Sequence, residues 1–160
     1  MKVAACCLAL ALLPALAAAA PVRLDDSASP RARFDLKPRW AHAEEAGADP
    51  ERVNALVAQV PALEVRLATG AYVGRNARIW MVVPDFVPGL RSPNGLRVEW
   101  RTRGTLLGGS ALPGTRTIVY DGPIRQAFVT DFLDLTLHLD ARFLDRGVRF
   151  EPYFEIDVAP

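Results

Sequence analysis

The sequence predicts an all-β domain, an antiparallel β-sandwich of the Ig-like or Greek-key type with one short N-terminal helix. Several segments alternate between apolar and polar residues, which is the two-residue period of a half-buried strand. Clusters of glycine and proline separate these segments, as turns do in sandwiches and barrels. About 140 residues remain after a predicted leader, enough for one domain that buries roughly two-thirds of its extended-chain surface.

The first 19 residues have the features of a secretory signal peptide. Lys2 precedes an apolar run from Val3 to Ala20, and the small residues Ala17 and Ala19 suit cleavage after Ala19. The alternative is a membrane anchor, but this alanine-rich run of about 18 residues is at the low edge of a membrane span. We therefore predict an exported, periplasmic or extracellular protein with no transmembrane segment after cleavage.

The composition of the mature chain argues against several classes of protein. Both cysteines, Cys6 and Cys7, lie inside the leader and not at its end, so we predict that the protein is not a lipoprotein. A mature chain without thiols cannot form disulfides, thiolate metal sites or cysteine nucleophiles. Without Lys2, 18 basic residues balance 18 acidic ones. This balance gives no electrostatic signature for nucleic acid or an anionic membrane, and neither partner is predicted.

Residues 20–48 form a predicted flexible N-terminal arm. The segment is rich in Ala, Pro, Asp and Arg and has too few large apolar residues to offset the entropy of ordering it. Its hydrophobic anchors are Phe34, Leu36 and Trp40. Such a segment can add a strand to a sheet edge, either its own or that of another chain. These three residues are therefore candidate binding residues.

The β-sandwich domain is predicted over residues 49–160, and a short helix over 49–60 opens it. Asp49 can cap this helix, Pro50 fits its first turn, and apolar residues follow at helical spacing before Pro61 ends it. The alternative is an extended approach to the first strand. The strands that follow are predicted over 63–69, 77–83, 96–103, 116–121, 133–140 and 148–158. Residues 124–132 fit a strand or a helix, and we favour a strand.

A row of polar residues marks the segment FLDLTLHLDARF, residues 132–143. Leucine takes every second position, and Asp134, Thr136, His138 and Asp140 alternate with the leucines on the other face. We predict that this strand forms a hairpin with 148–158. The register that keeps all leucines in the core places His138 opposite Glu151, Asp140 opposite Arg149, Thr136 opposite Tyr153 and Asp134 opposite Glu155.

Two interpretations of this row remain. His138, Asp140 and Glu151 could bind a metal ion through nitrogen and oxygen, as in a small metal-dependent enzyme. The favoured interpretation is a solvated sheet face, since most antiparallel sheets alternate in this way without any chemistry. The sequence contains no nucleophile elbow, phosphate-binding glycine loop or His-Glu-x-x-His motif. No catalytic residue and no cofactor are predicted.

Aromatic residues suggest a further alternative. If Ile79 and Met81 face the core, Trp80 faces outward, and Tyr72 and Tyr153 are also candidates for exposure. Exposed aromatic rings on a sheet could stack on a sugar, as in a carbohydrate-binding module. Alternatively, the helix or the arm covers Trp80. The favoured function is a non-catalytic binding or assembly module of the cell envelope that contacts another protein.

Overall fold

The computed structural model describes residues 20–30, 38–41, 54–145 and 147–158. These residues form two antiparallel sheets, and the all-β sandwich predicted from the sequence is confirmed. The strands are β1 (Val22–Arg23), β2 (Arg39–Trp40), β3 (Ala55–Ala68), β4 (Asn76–Val82), β5 (Leu96–Thr102), β6 (Gly109–Ala111), β7 (Arg116–Pro123), β8 (Phe128–Asp140) and β9 (Tyr153–Val158). The four-stranded sheet has the order β1-β9-β4-β7, and the five-stranded sheet has the order β2-β3-β8-β5-β6. Across the described ranges, no helix is long and apolar enough to span a lipid bilayer.

The leucines of β8 form the centre of the core. Leu133, Leu135, Leu137 and Leu139 are all buried, and they belong to the same cluster as Ile79 and Met81 of the opposite sheet. The strands β4, β5 and β8 alternate buried and outward residues, so the two-residue period of their sequence specifies which side faces the core. The predicted strand over 124–132 is confirmed from Phe128 onward, where it is continuous with the leucine-rich segment.

The predicted helix over 49–60 is wrong for the part that the structure describes. Residues 55–60 belong to β3, and residues 49–53 lie outside the described ranges. Ala58 and Val60 are buried at every second position, and β3 pairs with β8 along nearly its whole length. Backbone pairing with a long central strand and the strand preference of valine therefore outweigh the apolar spacing that suggested a helix. Within the described ranges, the helical structure consists of three single 3-10 turns: Gly70–Tyr72, Pro93–Gly95 and Ala141–Phe143.

The predicted hairpin between residues 133–140 and 148–158 is also wrong. β8 lies between β3 and β5 in one sheet, whereas β9 lies between β1 and β4 in the other. Both edges of each strand are therefore occupied by other partners. The alternation of polar and apolar residues specifies the face that meets the core, and it is satisfied equally by any neighbour with the same period. The predicted pair of His138 and Glu151 is replaced by the pair of His138 and Arg97 on β5.

The described parts of the N-terminal arm pair with both sheets. β1 adds to β9 and β2 adds to β3, so the arm supplies an edge strand to each sheet. Between them, the Asp25 carbonyl accepts a hydrogen bond from the Ala68 N–H at 2.9 Å, and Ser29 Oγ accepts one from the Arg66 N–H at 2.8 Å. These contacts join the two sheets at this side of the sandwich and satisfy backbone groups along the open edge of β3.

A buried carboxylate holds the loop that follows β5. Asp131 is 3% exposed and accepts hydrogen bonds from the N–H groups of Phe132 at 2.7 Å, Leu106 at 2.8 Å and Arg103 at 3.2 Å. Three backbone donors satisfy a charge that would otherwise be costly to bury. The loop is therefore fixed against the end of β8 that projects beyond β5.

Candidate binding face of the five-stranded sheet

The outward side chains of the five-stranded sheet form one polar surface. Strand register places Gln59 of β3, Thr136 of β8, Glu99 of β5 and Ser110 of β6 in a single row across four strands. The next row contains Asp134 and Arg101, which lie directly opposite one another. These residues and Pro61 line an open groove with a volume of about 680 Å³. We refer to it as the polar groove.

Asp134 forms one wall of the polar groove and is fully engaged. Its carboxylate accepts hydrogen bonds from Arg103 Nη2 at 2.6 Å, from Arg103 Nε at 3.0 Å and from the Ala62 N–H at 2.8 Å. Ala62 belongs to a bulge in β3 and has a φ of 51°, which non-glycine residues rarely adopt. The hydrogen bonds from Arg103, followed by the one from Ala62, lower the pKa of Asp134 below its ordinary value. The carboxylate therefore holds the bulge and the Arg103 side chain together.

The side chains of His138 and Glu99 approach one another beside the polar groove, of which Glu99 is a lining residue. His138 Nε2 lies 3.2 Å from Glu99 Oε2, while Glu99 Oε1 lies 3.1 Å from Arg97 Nη2. Although this distance is short, the direction of approach is not that of a hydrogen bond, and the buried Nε2 has no hydrogen-bond partner. His138 and Glu99 are therefore close neighbours without a hydrogen bond between them. Glu99 has Arg97 as its nearer basic partner.

The structure gives other partners to the residues predicted to bind a metal. Asp140 accepts a hydrogen bond from Arg142 Nη2 at 2.6 Å, which lowers the pKa of Asp140. Glu151 lies 3.7 Å from Arg149 and follows β8 in the segment that crosses to the other sheet. Nowhere in the described part of the chain do three His, Cys, Asp or Glu side chains come together in a way that could hold a metal ion.

Arg101 differs from Arg97 and Arg103, the arginines nearest to it along the chain. Arg97 and Arg103 each have an acidic partner, Glu99 and Asp134. Among the described residues, no acidic side chain lies within ion-pair distance of Arg101, and its own cross-strand neighbour Asp134 is bound to Arg103. Arg101 thus presents an unneutralised guanidinium to the polar groove.

An exposed aromatic patch continues this face beyond the groove. Phe128 and Phe132 are 41% and 42% exposed, and both face outward from β8 on the same side as Asp134. The Arg66 guanidinium lies 5.6 Å from the centre of the Phe128 ring. We refer to Phe128 and Phe132 as the phenylalanine patch. The sequence contained the signal for it, since the two-residue period of the leucines, continued toward the N-terminus, places both rings outward.

The aromatic candidates for sugar binding lie elsewhere. Trp80 and Tyr153 face outward from neighbouring strands of the four-stranded sheet, and both are half-buried. The Arg116 guanidinium lies 4.1 Å from the Trp80 ring, and the Arg23 guanidinium lies 4.6 Å from the Tyr153 ring. A sugar would need to displace these arginines in order to stack. Tyr72, in its 3-10 turn, is half-buried against the core.

The arm contributes one described candidate. Trp40 pairs with Leu56 at the edge of the five-stranded sheet and is 55% exposed. Phe34 and Leu36 lie outside the described residues, as does the leader over residues 1–19. The structure therefore places Trp40 at the edge of the domain and separates it from Trp80, which belongs to the other sheet.

Comparison with protein-family models, curated proteins and solved structures finds no match for this chain.

Proposed function

We propose that this chain is an exported, non-catalytic binding module of the cell envelope that contacts another protein through the outer face of its five-stranded sheet. The observation that carries the proposal is the phenylalanine patch. Two large apolar rings on one face of one strand, each about two-fifths exposed, lie next to a polar groove. Exposed large apolar side chains that lie among polar residues on one surface mark candidate sites of protein association.

The arrangement has the composition of an interface. Protein–protein interfaces have an apolar, often aromatic centre and a polar rim. Here Phe128 and Phe132 provide the apolar part, and the groove residues Thr136, Ser110 and Gln59 provide neutral hydrogen-bonding groups beside it. A rigid central strand presents both parts, so binding needs little ordering of the backbone.

The contacts made by the candidate residues of the two alternative functions support those functions less than the protein-binding function. A metal-dependent enzyme built on His138, Asp140 and Glu151 would have to release both carboxylates from arginines. A carbohydrate-binding module built on Trp80 and Tyr153 would have to remove the guanidinium groups that lie over both rings. In the phenylalanine patch, the Arg66 guanidinium lies farther from the Phe128 ring, at 5.6 Å, and both phenylalanine rings keep about two-fifths of their surface exposed.

The decisive experiment is affinity capture of the tagged mature chain from its native envelope after mild crosslinking. We expect one partner near stoichiometry with the wild-type chain, and a loss of at least roughly tenfold with the double variant Phe128→Ser/Phe132→Ser. Phe86→Ser is the matched control, because Phe86 is 73% exposed and lies outside the patch. Recovery of the chain alone, or equal capture by the double variant, would contradict the proposal, provided that circular dichroism shows an intact fold.

Export is tested separately. We expect the full-length chain, expressed in its native host, to be recovered from the periplasm or the medium with Ala20 as its first residue, measured by mass spectrometry of the intact protein. Recovery of a chain that still carries residues 1–19 from the cytoplasm would contradict this part of the proposal.

A further inference from the structure

We infer that the outer face of the five-stranded sheet binds an extended acidic segment of its partner, with a carboxylate at Arg101 and an apolar side chain two residues away at Phe132. This inference rests on the proposed function and specifies the chemistry of the partner. It combines the polar groove and the phenylalanine patch into one binding surface.

Among the described charged side chains in and beside the polar groove, one guanidinium group has no acidic partner and can bind a ligand. Asp134 is neutralised by Arg103, at 2.6 Å, and Glu99 is neutralised by Arg97, at 3.1 Å. Arg101 lies between these two pairs and has no acidic partner among the described residues. A guanidinium presents a planar fork of donors that matches the two oxygens of a carboxylate. An acidic side chain of a partner is thus the group that would pair with Arg101.

Charge over the rest of the face points the same way. Arg39 of β2 and Arg66 of β3 also lack an acidic partner within the described ranges. Glu64 of β3 is the acidic residue that lacks a basic partner there. The unpaired side chains of this face therefore have an excess of positive charge. A second copy of the chain would meet this excess with its own, because a symmetric contact places the same surface on both sides. An acidic partner is attracted to it.

The distance between the polar groove and Phe132 follows from the spacing of residues along β8 and its pairing with β5. Arg101 is opposite Asp134, and Phe132 is two residues from Asp134 on the same face of β8. In extended chains, residues two apart lie about 6.6 Å from one another and point the same way. An extended segment that lies over the outer face of the sheet, in the direction of β8 and with a glutamate at Arg101, would therefore place the side chain two positions away near the Phe132 ring. The expected motif is acidic–any–apolar.

The test uses blocked seven-residue peptides of serine and threonine that contain one glutamate and one leucine. The first peptide separates glutamate and leucine by one residue, the second replaces the glutamate by glutamine, and the third places the two residues next to one another. Each peptide is titrated into the isotope-labelled mature chain, and amide shifts are followed by NMR. We expect saturable shifts at Arg101, Thr136 and Phe132 with the first peptide, and roughly tenfold weaker binding of the other two.

Variants identify the residue responsible. Arg101→Gln should reduce the affinity for the glutamate peptide to that for the glutamine peptide, and it should not affect folding because the side chain is exposed and without an ion pair. Arg78→Gln, on the outer face of the other sheet, is the control and should bind like the wild type. Equal affinity for the glutamate and glutamine peptides, or no shifts at millimolar peptide, would overturn the inference.

The inference and the proposed function fail in different ways. If Arg101→Gln captures the envelope partner as well as the wild type does, while the phenylalanine variant loses it, the protein contact stands and the acidic motif is wrong. If the phenylalanine variant also retains the partner, the proposed surface itself is wrong.

Discussion

The buried carboxylate of Asp131 accepts a hydrogen bond from the Leu106 N–H at 2.8 Å, which ties the central strand to a loop 25 residues earlier in the sequence. The same carboxylate also accepts the Phe132 N–H, so one side chain satisfies donors on both elements. This arrangement fixes the end of β8 that carries the phenylalanine patch.

Replacing Asp131 by alanine should lower the free energy of unfolding by about 2–4 kcal/mol, because buried backbone donors lose their acceptor. Urea unfolding followed by circular dichroism measures this loss. Asp121→Ala is the matched control, since Asp121 forms an exposed ion pair with Arg78 and should contribute less than about 1 kcal/mol. Equal effects of the two substitutions would show that the loop does not depend on Asp131.

Two glycines with positive φ should respond differently to alanine. At Gly89, with φ of +92°, an added Cβ would lie 2.5 Å from the Gly147 carbonyl oxygen, whereas at Gly74, with φ of +85°, nothing lies within 4 Å. Gly74→Ala should cost only the conformational term of about 1–2 kcal/mol. Gly89→Ala should cost distinctly more, because the backbone around residue 147 must also move. Thermal unfolding of both variants checks the order, and a larger loss for Gly74→Ala would contradict it.

Asp134 should make stability depend on pH at the acid end. The hydrogen bonds from Arg103 and Ala62 lower its pKa from the ordinary value of 3.8 in the folded chain. A lowered folded-state pKa means that the stabilisation is present above the unfolded-state pKa and is lost as the pH falls through the folded-state pKa. The difference in unfolding free energy between the wild type and Asp134→Asn should therefore be largest near neutral pH and shrink below pH 3.8.

Urea unfolding of both chains across this range measures the difference. Because Arg103 is the main cause of the lowered pKa, Asp134→Asn in an Arg103→Gln background should show a much smaller pH-dependent difference. A pH-dependent difference that is unchanged in this background would mean that Arg103 is not the partner that matters.

Removing the Arg116 guanidinium should uncover the Trp80 ring. In the structure this guanidinium lies 4.1 Å from the ring centre and 3.7 Å from Glu155. With fluorotryptophan incorporated, Arg116→Ala should shift the fluorine resonance of Trp80 and increase its solvent-isotope effect. The resonance of Trp100, which is 3% exposed, should not change. An unchanged Trp80 resonance would show that Arg116 does not cover the ring in solution.

The sequence predicts the faces of the strands better than their neighbours. The alternation in β5 and β8 correctly separates Val98 and Leu137 from Glu99 and His138, because each strand carries its own period. Which strands lie side by side depends on contacts between distant segments, and the leucine pattern is equally compatible with β9, β5 or β3 as a neighbour. For that reason the pairing of His138 with Glu151 was wrong, while its outward orientation was correct.

Only part of the candidate site could be predicted from the sequence. Outward orientation of Arg101 follows from the alternation of β5, but its lack of an ion pair follows from the engagement of Asp134 by Arg103 and Ala62. That engagement depends on a bulge in β3, where a helix had been predicted just upstream. The role of Asp131 could not be predicted either, because the pattern of residues along a strand does not show which backbone N–H groups a single aspartate accepts.

The first described strand of the chain pairs with the last. Val22 lies opposite Ile156, and the Leu24 N–H bonds to the Phe154 carbonyl, so the four-stranded sheet contains both ends of the described chain. Until β9 has been synthesised, its neighbours β1 and β4 lack the strand that lies between them. Contacts between segments so far apart in sequence also form slowly. The four-stranded sheet is therefore complete only after its last described strand has joined the first, which makes closure of this sheet a late step in folding.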